Sequence, residues 1–550
     1  MVLRAVIVVV PLLGGLAVLP AAANDSQPEI LVVTSQLRDA ELGTVPAALT
    51  VLAPDPATAA GLQHFEQLVP RVPNVNWSGE GARARYFQVR GTGELEQYEG
   101  APNASVGFIV DDIDLSGIGG IATTFDTESI EVLRGPQATR YGANALAGLV
   151  YVQTGEPSPT PMARVTGGVA GNDTWSTGGV STGPVPGSDG ALTYRVALQQ
   201  YASDGFRHNA FLGRDDTAGR DEFTARAKLR WEAPGLSAQL TAFHVDLDDG
   251  YDDFNLANGY TTWSDQPGED SQQTDAAALR LAASLAAVDL LSITGVASSD
   301  TVYAFDADWG NPAYWAPYVY DFAQRIARSR DTVNQELRVL SKPGRRFLGA
   351  DWLAGAYVLA LDEDIRQRDT GDCDVATCGS DLEFDATTSS RYSATSVAAY
   401  GELAWTLPDE TRIALGLRRE LREASYADSG GGRIAPDDRM TGGDVTLTRP
   451  LVADGQVDVT AWLRAARGYK AGGFNPGVVG IPEAADRLEF GPETLWNFEA
   501  GLRAADVDGR WHASANAFVQ RRDDAQIKIP EQFRAGDPTT FLFFTENAGS

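Results

Sequence analysis

Few residues of this chain could carry covalent chemistry, and their spacing serves none of it. Gly179-Val180-Ser181-Thr182-Gly183 has the glycine spacing of a nucleophile elbow, which requires a strand-to-helix turn to expose its serine. Here it sits in a Gly-rich alternating stretch with no helix after it. His64, His208, His244 and His512 are too scattered for a metal-ligand pattern. Asp111, Asp112 and Asp114 could touch a hard cation, but they lack the remaining ligands of a calcium loop and read as a solvated strand end. Cys373 and Cys378, the two cysteines, lie in the polar segment GDCDVATCGS. A two-thiol zinc site would need ligands that no nearby histidine supplies, so in an exported chain the pair reads as a loop disulfide. The expectation is a non-enzyme with no cofactor and no resident metal.

The elements that must position these residues are strands. With 44 basic and 74 acidic residues the formal charge is −30, which argues against a nucleic-acid partner. A mean hydropathy of −0.19 and a single long apolar run exclude a bundle of transmembrane helices, which repeats stretches of ~20 apolar residues. That run, Ala5 to Leu19 behind Arg4, is broken by Pro11 and Gly14-Gly15 and exits through Ala21-Ala22-Ala23. Those interruptions and the small-residue exit favour a cleaved secretory signal, residues 1–23, over a membrane anchor.

Three textures follow. Residues 24–45 form a polar leader holding one β-forming run, Glu29-Ile30-Leu31-Val32-Val33-Thr34. Residues 46–159 read as a Gly-rich αβ domain with a short helix near Gly61 to Val69 and buried strands in SVGFIVDDIDL, SIEVLRG and GLVYVQT. Residues 160–550 alternate. In EFTARAKLRW, Phe223, Ala225, Ala227, Leu229 and Trp231 share one face, and Thr224, Arg226, Lys228 and Arg230 the other. Ile413, Leu415 and Leu417 oppose Arg412, Arg418 and Glu420; Trp496, Phe498, Ala500 and Leu502 oppose Asn497, Glu499 and Arg503. Val457, Val459, Ala461 and Leu463 oppose Asp458, Thr460 and Arg464, with Trp462 breaking the polar face. Roughly sixteen such segments, separated by alternately long and short loops, predict a mainly β protein, a transmembrane antiparallel barrel with lipid on the apolar face and a polar lumen.

Several runs carry a family resemblance. ARYFQVRGTGELEQYEG, APNASVGFIVDDIDLSGIGG and SIEVLRGPQATRYGANALAGLVYVQT resemble the plug domain of TonB-dependent outer-membrane receptors. NQELRVLS, RGYKAGGFN and PETLWNFEAGLR resemble that family's barrel segments, in the family's order. The resemblance implies a globular αβ plug inside a barrel of about 22 strands, placed in the bacterial outer membrane. The chain ends at Glu546-Asn547-Ala548-Gly549-Ser550 with no closing strand, so it reads as a C-terminally incomplete member.

The resemblance also implies roles. The Glu29 to Thr34 run lies where the family carries its TonB box, and an extended segment there can add to the sheet edge of a periplasmic TonB-type energy-coupling partner. Arg90 and Arg134 resemble two plug arginines that pair with barrel glutamates. Glu499 resembles one partner, and Glu336 and Glu402 are candidates for the second. Ligand contact is expected from Arg83, Arg85, Tyr86, Gln88 and Tyr98 on the plug and from Phe305, Trp309, Tyr314, Trp315, Tyr318 and Tyr320 in the Tyr303 to Phe322 loop. Aromatics at strand ends serve equally as an interfacial girdle. The expected ligand is a ferric siderophore, taken up actively by a monomer; oligosaccharide, cobalamin and a passive porin are the alternatives.

Overall fold

The computed structural model describes residues 32–33, 40–41, 45–52, 62–79, 81–96, 98, 100–119, 123–453, 456–478, 482–506, 511–533 and 541–549. The signal-peptide segment 1–23 and Glu29, Ile30, Leu31 and Thr34 lie outside them. Of the β-forming leader run, β1 (Val32–Val33) pairs antiparallel with β2 (Ala40–Glu41).

The N-terminal domain is a five-stranded sheet. It contains β3 (Ala48–Leu52), β6 (Val106–Val110), β7 (Ile113–Asp114), β8 (Thr127–Arg134) and β9 (Gly148–Thr154), beside a hairpin of β4 (Val75–Ser78) and β5 (Tyr86–Val89). Its order is β3-β8-β9-β6-β7, with β6 parallel to β9 and the other pairs antiparallel, so β3 is an edge strand. The helix expected near Gly61 to Val69 is two 3-10 turns, Phe65–Gln67 and Val69–Arg71. β6 and β9 are nearly continuous apolar runs because the sheet is covered on both faces.

Fifteen longer strands follow, paired antiparallel in sequence order from β10 (Met162–Val169) to β24 (His512–Asp523) among the described residues. Between them run β11 (Trp175–Pro184), β12 (Leu192–Ser203), β13 (Arg220–Ala233), β14 (Leu236–Tyr251), β15 (Gly268–Ser284), β16 (Val288–Asp306), β17 (Tyr320–Ser341) and β18 (Asp351–Cys373). The wall continues through β19 (Leu382–Thr406), β20 (Arg412–Asp428), β21 (Asp437–Ala453), β22 (Val457–Lys470) and β23 (Glu493–Asp506).

Burial is inverted relative to a soluble domain. On β13 the polar set Glu222, Thr224, Arg226 and Lys228 is buried, while Leu229 and Trp231 are exposed. Lipid takes the apolar face and the N-terminal domain fills the lumen. One apolar core runs across the boundary: Phe65, Phe87, Phe108, Val132 and Val150 of the inner domain pack with Phe243, Val245, Leu247 and Ala276 of the wall. Crossing a bilayer takes about 9–11 tilted residues per strand, so β17 to β19, with 22, 23 and 25 residues, extend well past it. Their outer face accordingly turns charged toward the long-loop end, where Asp364 pairs with Arg391 at 2.7 Å and Asp385 with Arg368 at 2.8 Å, all solvent-exposed. Cys373 and Cys378 are disulfide-bonded beside the loop helix Val375–Cys378.

Candidate functional site: the plug–barrel interface and the vestibule

The segment 81–90 crosses the lumen and is held at both ends. At one end, Arg83 lies 2.8 Å from Glu222 on β13 and 3.3 Å from Glu66, and its backbone N–H donates to Asp270 on β15 at 3.2 Å. Arg85 pairs with the other oxygen of Asp270. Asp249 stands opposite Asp270 across β14 and β15, a like-charge pair that would be unfavourable without these guanidiniums. The approach is close: a side chain on Gly81 would collide with the Asp270 carboxylate. His64 completes the cluster. Its Nδ1 lies 2.9 Å from Arg220 Nη1, which can only donate, so Nε2 carries the proton and donates to Glu222 at 2.8 Å. Burial, reinforced by the Arg83 charge, lowers the His64 pKa below its ordinary 6.5 and keeps the ring neutral.

At the other end, Arg90 donates to Glu499 on β23 at 2.6 Å and to Asn497 at 3.0 Å, with its guanidinium 3.9 Å from the centre of the Phe518 ring. Arg134 does not repeat this arrangement. It donates to the Pro73 carbonyl at 3.0 Å and has no carboxylate ion pair among the described residues. Glu336 is taken by Arg338 at 2.7 Å and by Tyr400, and Glu402 lies 3.7 Å from Arg412, so neither is a partner for Arg134.

Other inward cations solvate the plug's backbone. Lys228 donates to the Thr154 carbonyl at 2.9 Å and to Asp111 at 3.0 Å; Arg226 reaches the Phe125 carbonyl, Arg418 the Arg140 carbonyl at 2.8 Å, and Arg464 the Pro136 carbonyl at 2.9 Å. Parity places these side chains inward, and the lumen's carbonyls and carboxylates satisfy them there. Arg412, inward by parity, sits at the short-turn end and is largely exposed.

These contacts engage the plug half of the expected ligand set within the protein itself. Arg83 and Arg85 are buried and neutralised by barrel acids. Tyr86 is buried in β5, and Gln88 is buried and bonds Ser78 and the Glu94 carbonyl. Tyr98, half-buried, donates to Glu363 on β18, receives Arg330 of β17, and lies under Arg328 with 4.9 Å to its ring centre. A guanidinium or phenol on a Gly-rich turn inside a carboxylate-lined barrel finds its partner in the wall before any ligand arrives. His64, Glu66, Glu222, Asp270 and Glu363 are the residues that sequence reasoning missed; the signal for Glu222 and Asp270 is an acid at inward parity near the long-loop end of its strand, and for Glu363 inward parity alone.

Above the plug apex the wall is aromatic. Leu95 stands exposed on that apex, which is tied down by Lys470–Glu94 at 2.7 Å and Lys528–Glu96 at 2.9 Å. Tyr251 and Tyr303 face inward, 5.4 Å apart, and contacts continue through Phe254 and Phe305 to Trp309, which stacks on Phe254 at 5.1 Å. Trp315 is anchored by its indole N–H to Asp308 at 2.9 Å and packs on Tyr314 and Tyr320, while Trp309 and Tyr314 keep substantial exposed surface. Across the lumen Tyr392, Tyr426 and Phe474 form a second aromatic group, with Arg422 bonded to the Tyr392 hydroxyl at 2.8 Å. Exposed ring surface in the vestibule thus comes from Trp309 and Tyr314, resting on buried aromatic layers.

The family model for the TonB-dependent receptor plug domain matches residues 41–149, and that for the TonB-dependent receptor-like β-barrel matches residues 164–550. The chain belongs to the TonB-dependent receptor family. The receptor is accordingly an outer-membrane β-barrel protein with a plug in its lumen. It is 26% identical over 548 residues to a pesticin receptor of Yersinia enterocolitica, an alignment that covers 94% of this chain and 74% of that protein. Among solved structures it resembles the ferric yersiniabactin uptake receptor of Yersinia pestis, with a TM-score of 0.72, 21% identity, and 88% and 73% of the two chains covered. It also resembles the ferric preacinetobactin receptor of Acinetobacter baumannii, with a TM-score of 0.65, 14% identity, and 94% and 77% covered.

Proposed function

We propose that the receptor takes up a ferric siderophore, capturing it in the aromatic vestibule and releasing it inward when a periplasmic TonB-type protein pulls on the leader. The observation that carries this reading is a lumen closed by a plug held to the wall through buried ion pairs, beneath a vestibule in which Trp309 and Tyr314 keep exposed ring surface. A filled lumen suits gated passage rather than the free diffusion of a porin, and ring faces backed by Arg328 and Arg422 suit an anionic, aromatic chelate. Several similar proteins are named for ferric siderophores, which supports the same class.

In this reading residues 1–23 direct export, 24–45 form the leader with the TonB box at Glu29 to Thr34, 46–159 form the plug and 160–550 the barrel. The receptor works as a monomer. Trp309, Tyr314 and Trp315 contact ligand, and Arg90 with Glu499 holds the plug. The test is a binding panel read by quenching of Trp fluorescence, with ferric siderophores, cobalamin and oligosaccharides side by side, joined to radio-iron uptake by energised cells. Saturable quenching by a ferric chelate, and uptake lost on deleting Glu29 to Thr34 with binding kept, is the expected result. Quenching only by cobalamin or by a sugar would reassign the ligand, and a large steady bilayer conductance would replace the transporter with a porin.

A further inference from the structure

Trp462 departs from the polar inward pattern of its own strand, and it organises a second contact beside Arg90. Trp462 on β22 is buried at lumenal parity, opposite Gly501 on β23. Any side chain on Gly501 would collide with the indole, so the glycine makes the room that Trp462 fills. The residues flanking Gly501 on the same face are Glu499 and Arg503. The Trp462 indole N–H donates to Glu499 at 3.3 Å, and the Arg503 guanidinium lies 5.3 Å from the centre of the Trp462 ring. One aromatic side chain therefore positions both charged groups.

Both groups grip the start of the plug. Arg503 donates to the Val45 carbonyl at 2.8 Å and to the Ala47 carbonyl at 3.2 Å. Glu499 accepts the Ala48 backbone N–H at 2.9 Å on one oxygen and Arg90 at 2.6 Å on the other. Residues 45–48 lead directly into β3, the edge strand of the plug sheet, which among the described residues pairs on one side only, with β8. An edge strand held by one ladder is the element of a sheet that can leave without dismantling the rest.

We propose that Arg503, positioned by Trp462, is the clamp that first resists a pull from the leader, and that Glu499 couples the departure of β3 to the release of Arg90. The idea rests on the TonB-coupled reading for its biological use, but the order of events belongs to the fold. Beyond the two-residue β1–β2 pair, the first contacts with the barrel that a pull meets among the described residues are the two Arg503 bonds, then Ala48–Glu499. Once Ala48 has left, the Glu499 oxygen it shared keeps only the longer Trp462 indole contact at 3.3 Å, and the carboxylate can turn away from Arg90. Arg503 is thus a positioning residue for plug opening, with no ligand contact.

The test is single-molecule extension of the full-length receptor in a bilayer, pulled through a handle placed ahead of residue 29 so that the instrument supplies the force. Arg503→Ala is expected to lose the first rupture event and keep the later ones, Arg503→Lys to retain it at reduced force, and Arg90→Ala to keep it and weaken the next. A second readout needs no force: Thr50→Cys is the only free thiol beside the Cys373–Cys378 bond, and Arg503→Ala should speed its labelling about tenfold, the equivalent of one charged hydrogen bond. Unchanged first rupture and unchanged labelling in Arg503→Ala would overturn the clamp; equal weakening of every event would reduce it to general stability. Because no TonB is present, failure here leaves the energy-coupling reading standing, and loss of that reading through the 29–34 deletion leaves the clamp.

Discussion

Arg90 and Glu499 lie 2.6 Å apart although 409 residues separate them, and their side chains are almost fully withdrawn from solvent. The plug is therefore fixed to β23 by a buried, hydrogen-bonded charge pair. Such a pair is costly to break singly because its partner is stranded.

Arg90→Ala should destabilise the plug's seat by about 3–5 kcal/mol, leaving the Glu499 charge uncompensated. Glu499→Gln keeps an acceptor for Ala48 and should cost less. Protease sensitivity of the plug in the intact barrel, measured against denaturant, separates the two; equal stability of Arg90→Ala and wild type would show that the pair holds nothing.

The opposite end of the same segment makes an independent prediction. Arg83→Ala and Glu222→Gln should each destabilise, while the double variant recovers part of the loss, giving a coupling energy of order 1–3 kcal/mol in a double-mutant cycle. Thermal melts of all four proteins check it. Strict additivity would mean that Arg83 and Glu222 do not act on one another.

His64 makes this end sensitive to acid. Its folded pKa is lowered, so the stability contributed by the neutral ring is fully present above pH 6.5, declines as the pH falls through the depressed folded value, and levels off beneath it. Melting temperature followed from pH 8 downward, beside His64→Gln, isolates the effect, because the variant keeps a polar side chain that does not titrate. Parallel curves for the two proteins would remove His64 from the clasp.

In the vestibule, Trp309→Ala and Tyr314→Ala should each weaken ligand binding about tenfold, the equivalent of one aromatic stacking contact. Trp496→Ala, whose ring faces outward, should bind as wild type does. The panel's strongest ligand serves as the probe, and equal loss in all three variants would point to the fold rather than the site.

Lipid exposure predicts one more asymmetry. Leu417→Arg, on the apolar face of β20 with 60% exposure, should cost about 2–4 kcal/mol if it lies near the midplane. Urea unfolding in liposomes measures it, and an unperturbed variant would place that face in water.

Much of this was legible beforehand because it is local. A strand's side chains alternate with period two, so the row Phe223 to Trp231 assigned lipid and lumen by itself, and the inward acids and bases of β13 and β23 followed from parity alone. The plug strands announced themselves as apolar runs, and the order of motifs along the chain carried the family. What parity cannot give is the rotation of the plug within the barrel. Arg83 meets Glu222 across 139 residues, Arg85 meets Asp270 across 185, and Arg503 meets Val45 across 458. Each partner is chosen by which wall the plug faces. Cations read as a ligand-facing apex thus proved to be anchors, and Arg134 took a carbonyl where a glutamate was expected. Sequence by itself determined the architecture and the face each residue occupies, since both follow from the strand's repeat. Only the tertiary structure decided the pairings, since a buried charge takes whichever partner the packed plug brings within reach.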